Sequence, residues 1–194
     1  IRMIVDNTES LLGSLDAGEL DFAVIEGYFR KNLYAYQPYS NERFICVCGA
    51  QNPLARETQT LSALFSERLI LREPGSGTRE ILERYLMERN CTIADFDRLL
   101  EIGSIGAIKT LVAAGLGITF LYQAAVREEL ASGALREVTL SDLNMEHPFT
   151  AVWRKNSIFD ADYRRRIDDL LCPEDGYSFA ESNDASTGLL SNGG

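Results

Sequence analysis

The residues with the clearest chemical potential stand together at Arg72-Glu73-Pro74-Gly75-Ser76-Gly77-Thr78-Arg79. An apolar run, Leu69-Ile70-Leu71, precedes them and reads as a strand. Ile81, Leu82, Tyr85 and Leu86 follow at helical spacing. A loop that joins a strand to a helix start aims several unpaired backbone N–H groups at one point, with the positive end of the helix dipole behind them. Gly75 and Gly77 let the backbone curl and come close to a bound group. Ser76 and Thr78 add hydroxyls, and Arg79 adds a fixed charge. Two readings fit these residues: a cradle for a small anion, or a Pro-Gly turn with a Ser or Thr cap.

Other reactive side chains lack this setting. His147 is the single histidine and has no nucleophile or partner signature around it. Cys46-Val47-Cys48 lies in an apolar strand pattern, so its two thiols share a face. With Cys91 and Cys172, the pair reads as reduced and mostly buried, and a redox role stays a lesser alternative. One histidine and no second ligand knuckle argue against zinc. No metal and no cofactor is expected. Arg164-Arg165-Arg166 reads as the solvated face of a helix.

The same device of strand, small polar loop and helix start recurs in three places: at Asn7-Thr8, at Gly75 to Thr78, and at Gly103-Ser104. In open α/β sheets ligands bind at the carboxyl ends of strands, so three such loops could line one cleft. The elements that would position them follow from periodicity. Residues 2–6 read as a strand, and Asn7 or Thr8 caps a helix bearing Leu11, Leu12 and Leu15 that stops at Gly18. Residues 20–25 form the next strand, closing a strand–helix–strand unit of the parallel-sheet type. Residues 33–39 and 42–49 are two extended segments, and residues 61–65 a short helix. Residues 98–102, 118–121 and 149–153 are further strands, and 135–140 is extended. Helices follow Ser104, cover 124–130, and end the ordered chain with Phe159, Tyr163, Ile167, Leu170 and Leu171 on one face. Residues 172–194 read as a disordered tail.

The chain has 194 residues, 45% hydrophobic, with a net charge of -10 from 19 Lys and Arg against 29 Asp and Glu. That charge is a poor match to a phosphate backbone, so these residues are not expected to bind DNA. No stretch approaches the roughly 20 apolar residues of a membrane span. The start, Ile1-Arg2-Met3-Ile4-Val5, reads as a strand entered part-way, so the chain is expected to be a fragment.

Four segments together resemble the effector-binding region of LysR-type transcriptional regulators. They are Leu15-Asp16-Ala17-Gly18-Glu19-Leu20-Asp21-Phe22-Ala23-Val24, Leu71 through Arg79, Gly103-Ser104-Ile105-Gly106-Ala107-Ile108-Lys109, and Val112-Ala113-Ala114-Gly115-Leu116-Gly117-Ile118. The likeness covers residues 1–171. It implies an α/β, two-lobed fold of the type 2 periplasmic-binding-protein kind, two Rossmann-like subdomains joined by crossover strands. Lobe I would be residues 1–42 with 147–171, and lobe II 43–146. The crossovers would fall near 41–44 and 147–150.

The resemblance also implies a site and a role. Ser76, Gly77, Thr78 and Arg79, with Gly103, Ser104 and Ile105, would form the lobe II wall. Asn7, Thr8, Glu26, Gly27 and Tyr28 would form the opposite one. The effector would be a small, anionic metabolite. The loop looks most like branches that respond to inorganic or sugar-phosphate anions. A cytoplasmic homodimer or tetramer is implied, with no enzyme activity, no membrane partner, and DNA bound only through an N-terminal helix-turn-helix. Relative to that pattern the first strand and helix of lobe I are absent. The gap predicts poor stability or aggregation, which a cooperative, monomeric melt would contradict. A solute-binding protein of an uptake system and a small-metabolite enzyme are alternatives on the same fold. The sequence upstream of Ile1 would separate the three.

Overall fold

A computed structural model describes residues 2–171. The chain divides into two compact units, Ile1–Ser157 and Ile158–Gly194. In the first unit a seven-stranded mixed sheet takes β1 (Ala23–Ile25), β2 (Tyr34–Gly49), β3 (Arg68–Leu71), β4 (Arg98–Glu101), β5 (Ile118–Tyr122), β6 (Leu135–Val138) and β7 (Met145–Arg154). Its order is β1-β7-β2-β5-β3-β4, with β6 also on β2. The helices are α1 (Thr8–Ala17), α2 (Gly77–Met87), α3 (Ile105–Ala113) and α4 (Arg127–Ser132). The second unit contributes α5 (Asp160–Leu171).

Strand alternation builds two of the cores. On one face of β2, β5 and β3, Phe44, Cys46, Cys48, Ile118, Phe120, Tyr122, Leu69 and Leu71 meet Ile81, Leu82, Tyr85 and Leu86 of α2. The intervening residues Ile45, Val47, Leu121 and Ile70 face the other way, against Ile108 and Val112 of α3. Side chains two apart share a face of a strand, so α2 and α3 must cover opposite faces. The parallel strands β5, β3 and β4 lie side by side with β3 in the middle. The chain leaves β3 through α2 to reach β4, then returns through α3 to the far side of β3. This is a doubly wound arrangement, and its switch point lies at the carboxyl ends of β3 and β5. A third core gathers Leu15 of α1 with Ala23, Ile25, Tyr34 and Val152.

Several expectations are corrected here. Residues 2–6 form no strand, and Met3, Ile4 and Val5 are exposed. A strand needs a ladder partner, and none of the described residues supplies one. The parallel strand–helix–strand unit therefore does not form, and β1 pairs antiparallel with β7. Residues 33–39 and 42–49 are not two segments but one 16-residue strand. It runs through Pro38 because β2 has only β7 beside it over residues 34–43, and its register shifts between Pro38 and Ser40. The helix expected at 124–130 is a 3-10 turn, Gln123–Val126, leading into α4.

Cys46 and Cys48 are fully buried, and burial pushes the Cys46 thiol far up and the Cys48 thiol to about 11. Neither carries thiolate character at neutral pH, so neither is primed for redox chemistry. In α5 the Arg164–Asp160 and Arg165–Asp162 pairs lie 2.9 and 2.8 Å apart, and all three arginines are exposed. The tail expected at 172–194 lies outside the described residues.

Candidate functional site

The loop after β3 reaches the first turn of α2 through Gly75, whose φ of +87° favours glycine. The Gly75 carbonyl accepts from the Glu9 N–H at 3.2 Å, so the loop also touches the first turn of α1. Asn7 caps α1 by accepting from the Ser10 N–H at 3.0 Å. Its amide donates to Glu73 Oε1 at 3.4 Å. Glu73 is held by a two-pronged bond from Arg72, at 2.8 and 2.9 Å, which keeps its carboxyl below the usual range. The starts of α1 and α2 are thus fastened together.

The head of α2 holds a carboxyl group. Thr78 donates both its backbone N–H, at 3.1 Å, and its hydroxyl, at 2.7 Å, to Oε1 of Glu26. Glu26 follows β1 directly, 52 residues away in sequence. The donors that one of the two sequence readings would give to a small anion are therefore engaged by a side chain of the protein itself. Desolvation raises the Glu26 carboxyl above its ordinary value, and the two Thr78 bonds and Arg72 pull the other way.

Gly27 and Gly77, expected on opposite walls, touch. A Cβ on Gly77 would stand 2.6 Å from the Gly27 nitrogen, and one on Gly27 would stand 3.0 Å from both Gly77 Cα and Thr8 Cγ2. The close approach that Gly77 permits is to another stretch of backbone. Beside this contact lies a pocket of about 350 Å³. Thr8, Glu9 and Leu12 of α1, Tyr28, and Pro74, Gly75, Ser76, Arg79, Glu80 and Glu83 line it. Ser76, the residue that caps α2, is 2% exposed, and its hydroxyl makes no cap bond and has no partner.

The remaining predicted residues are placed differently. Arg79 lines the pocket, but its guanidinium is engaged by Glu83 at 2.8 Å, Glu101 at 2.6 Å and the Arg72 carbonyl at 3.2 Å. Gly103, Ser104 and Ile105 do not join the pocket, and the Ser104 hydroxyl accepts from the Ala107 N–H of its own helix at 3.3 Å. Tyr28 is covered on one ring face by Arg84 at 3.6 Å, and its N–H donates to Glu80 at 3.2 Å. Arg84 in turn pairs with Glu80 at 3.0 Å across one helical turn, an i,i+4 pair.

His147 is not alone. It meets the Tyr28 ring edge-on at 5.2 Å, and its Nδ1 lies 3.4 Å from the Tyr122 hydroxyl. That hydroxyl also donates to the Glu26 carbonyl at 3.3 Å. Burial lowers the His147 pKa, so the ring is neutral at pH 7. Sequence reasoning missed Glu73, Tyr122 and Arg84 as parts of this network. Each joins through a contact distant in sequence, to Asn7, to Glu26 and to Tyr28, and the local signals are the adjacency of Arg72 to Glu73 and the Glu80–Arg84 spacing. Among the described residues no group of three or more His, Cys, Asp or Glu is arranged to hold a metal ion.

The family model described as the LysR substrate binding domain matches residues 1–170. The chain belongs to the LysR substrate-binding domain family. Among curated relatives of this LysR domain is the "Uncharacterized HTH-type transcriptional regulator YeiE" of Escherichia coli K12, 31% identical over 72% of this chain and 47% of its own length. Another is the HTH-type transcriptional regulator CbbR of Xanthobacter flavus, 34% identical over 78% of this chain and 46% of its own. The chain spans about half the length of these relatives. Among solved structures, the regulatory domain of CcmR from Synechocystis PCC6803 in complex with 2-PG superimposes with a TM-score of 0.74. It is 24% identical and covers 85% of this chain and 78% of that one. The LysR domain thus has the mixed α/β fold of LysR regulatory domains, which is of the type 2 periplasmic-binding-protein kind. Among its described residues no helix is long and apolar enough to cross a membrane.

Proposed function

We propose that this LysR domain is the effector-sensing part of a transcriptional regulator, and that a small anion at the head of α2 is its signal. The observation that carries the reading is the double donation of Thr78 to one carboxylate oxygen. A helix start that holds one anion has the dipole and the donors to hold another. Ser76, Gly77 and Thr78 form the seat, with Asn7, Thr8, Gly27 and Tyr28 beside it. Gly103, Ser104 and Ile105 are left out of the seat because they stay outside the pocket, and Arg79 orders the loop through the Arg72 carbonyl. The two-lobed division read from the sequence belongs to this proposal. Support comes from the separate core around Leu15 and Val152, which β2 and β7 connect to the larger sheet.

The domain does no chemistry of its own. Effector binding shifts the equilibrium between arrangements of the domain. In a cytoplasmic dimer or tetramer, that shift moves DNA-binding heads that lie outside this chain. CcmR is bound to 2-PG, so 2-PG heads the panel of candidate effectors. The test is a thermal-shift screen of phosphorylated and carboxylated metabolites against the chain and its Thr78→Ala variant. An effector raises the melting temperature of the former and loses most of that shift in the latter. Equal shifts in both proteins remove the head of α2 as the seat.

A further inference from the structure

We propose that Glu26 is a tethered occupant of the anion seat on α2, which an incoming tetrahedral oxyanion must displace, so that Glu26 sets the affinity and the pH dependence of effector binding. The inference rests on the reading of α2 as the effector seat and adds its regulation. Three observations carry it.

The first is occupancy. The Thr78 N–H and hydroxyl converge on one oxygen of Glu26, so both donors of Thr78 are taken. Two anions sharing these donors would repel each other at a few ångströms. One must leave or take up a proton.

The second is an unused donor. The Ser76 hydroxyl, at the head of the same helix, is buried and has no partner. A buried hydroxyl without a partner is costly, and native structures rarely keep one. A carboxylate oxygen held by Thr78 leaves it unanswered. A phosphate or sulfate group presents more oxygens in more directions, so it could accept from Thr78 and Ser76 together. That extra bond is what would let a free oxyanion win over a tethered one.

The third is that the occupant is poorly housed. Burial opposes its charge. The groups that act on it are Arg72 and Glu73 at the end of β3, of opposite sign and bonded to each other, and Thr78 on α2. On β5 the Tyr122 hydroxyl bonds the Glu26 main-chain carbonyl, and the neutral His147 of β7 stands behind it. Among the described residues no full cation bonds the Glu26 carboxylate, so protonation frees the seat without breaking an ion pair. The backbone tether itself stays fixed, since Gly27 packs on Gly77.

The test uses sulfate, whose charge is constant from pH 5 to 8, and calorimetric titration of the chain. The wild type is expected to bind sulfate more tightly as pH falls. Glu26→Ala is expected to bind it at least tenfold more tightly at pH 7.5, with a flat pH profile. Glu26→Gln, which keeps the shape, is expected to lose the pH slope in any case. Thr78→Val added to Glu26→Ala is expected to remove the gain, and Ser76→Ala to reduce it severalfold. Sulfate binding that depends on Thr78 but is unchanged by Glu26→Ala overturns the displacement and leaves the seat standing. A gain in Glu26→Ala that survives Thr78→Val places the anion elsewhere and overturns both. So does a Glu26→Ala protein that binds no sulfate at millimolar concentration.

Discussion

The heads of α2 and α3 share a sequence device and differ in what they do with it. Each follows a parallel strand, each is capped by a serine, and each has a glycine in its first turn. At α3 the device closes on itself. Ser104 is exposed, its hydroxyl bonds Ala107 N, and a Cβ on Gly106 would meet nothing closer than Ser104 Oγ at 3.8 Å. At α2 it opens outward. The serine hydroxyl is unused, the two Thr78 donors go to Glu26, and the glycine lies against another backbone. A cap that satisfies its own helix has nothing left to offer a ligand, whereas a cap whose donors reach across a fold can exchange partners. The comparison teaches that the motif alone does not make a site. The neighbour across the fold does.

The largest expected break in that contrast is at the glycines. Gly77→Ala puts a Cβ 2.6 Å from the Gly27 nitrogen, and that atom is backbone, so the two segments must part. The expected loss is about 2–3 kcal/mol, the range of overpacking. Gly106→Ala meets open space on a helix and is expected to gain about 0.5–1 kcal/mol. Urea unfolding of both variants measures this. Equal effects would show that the first turns are equally free.

The donors come next. Thr78→Val keeps the shape and removes the 2.7 Å hydroxyl bond to Glu26. Bonds to charged groups are worth roughly 1.5–3 kcal/mol, and the second bond from the Thr78 N–H, which the variant keeps, points to the lower end. Ser104→Ala removes an ordinary cap, for about 1 kcal/mol. A larger loss at Ser104 than at Thr78 would reverse the contrast.

The same difference shows as a slope with pH. The Glu26 carboxyl in the folded chain lies above its unfolded value of 4.5. The native state therefore binds the extra proton between those two values, and stability falls as pH rises through that window. Asp6 and Glu73 are lowered and act with the opposite sign, losing stability as pH falls. They are common to both proteins, so the difference between Glu26→Gln and wild type isolates Glu26. It should grow with pH above 4.5 and then level off. For Ser104→Ala the difference should stay flat, and chemical denaturation from pH 4 to 8 reads both.

How much of this was legible in the sequence depended on distance along the chain. Asn7, Gly18 and Ser104 work within one turn of a helix, and each is the cap that its residue type predicts. Phe120 and Leu121 are core, as their apolar run implies. The tight approach at Gly77 was legible as a need for space, but not its partner, because Gly27 lies 50 residues away. Glu26 gave no local signal. A carboxylate after a strand is ordinary until the fold brings Thr78 to it. Residues 2–6 carry strand residues, yet a strand is a pairing, and their sequence cannot show whether a partner is at hand.

The smallest expected effect is the sharpest test of the comparison. Ser76 and Ser104 are the same residue at the same cap position, and a rule based on residue type assigns both about 1 kcal/mol. The geometry separates them. Ser104 makes its cap bond, whereas the Ser76 hydroxyl makes none and is buried. Replacing Ser76 with alanine removes an unpartnered buried polar atom and leaves the Thr78 donors at the head of α2 where they were, so without added anion the stability should rise rather than fall, by up to about 1 kcal/mol. In saturating sulfate the same substitution should lower the melting temperature relative to wild type, because the lost hydroxyl then belongs to the bound state alone. A loss near 1 kcal/mol without anion would mean that Ser76 is a plain cap. The head of α2 would then differ from that of α3 only in its neighbour and not in its own construction.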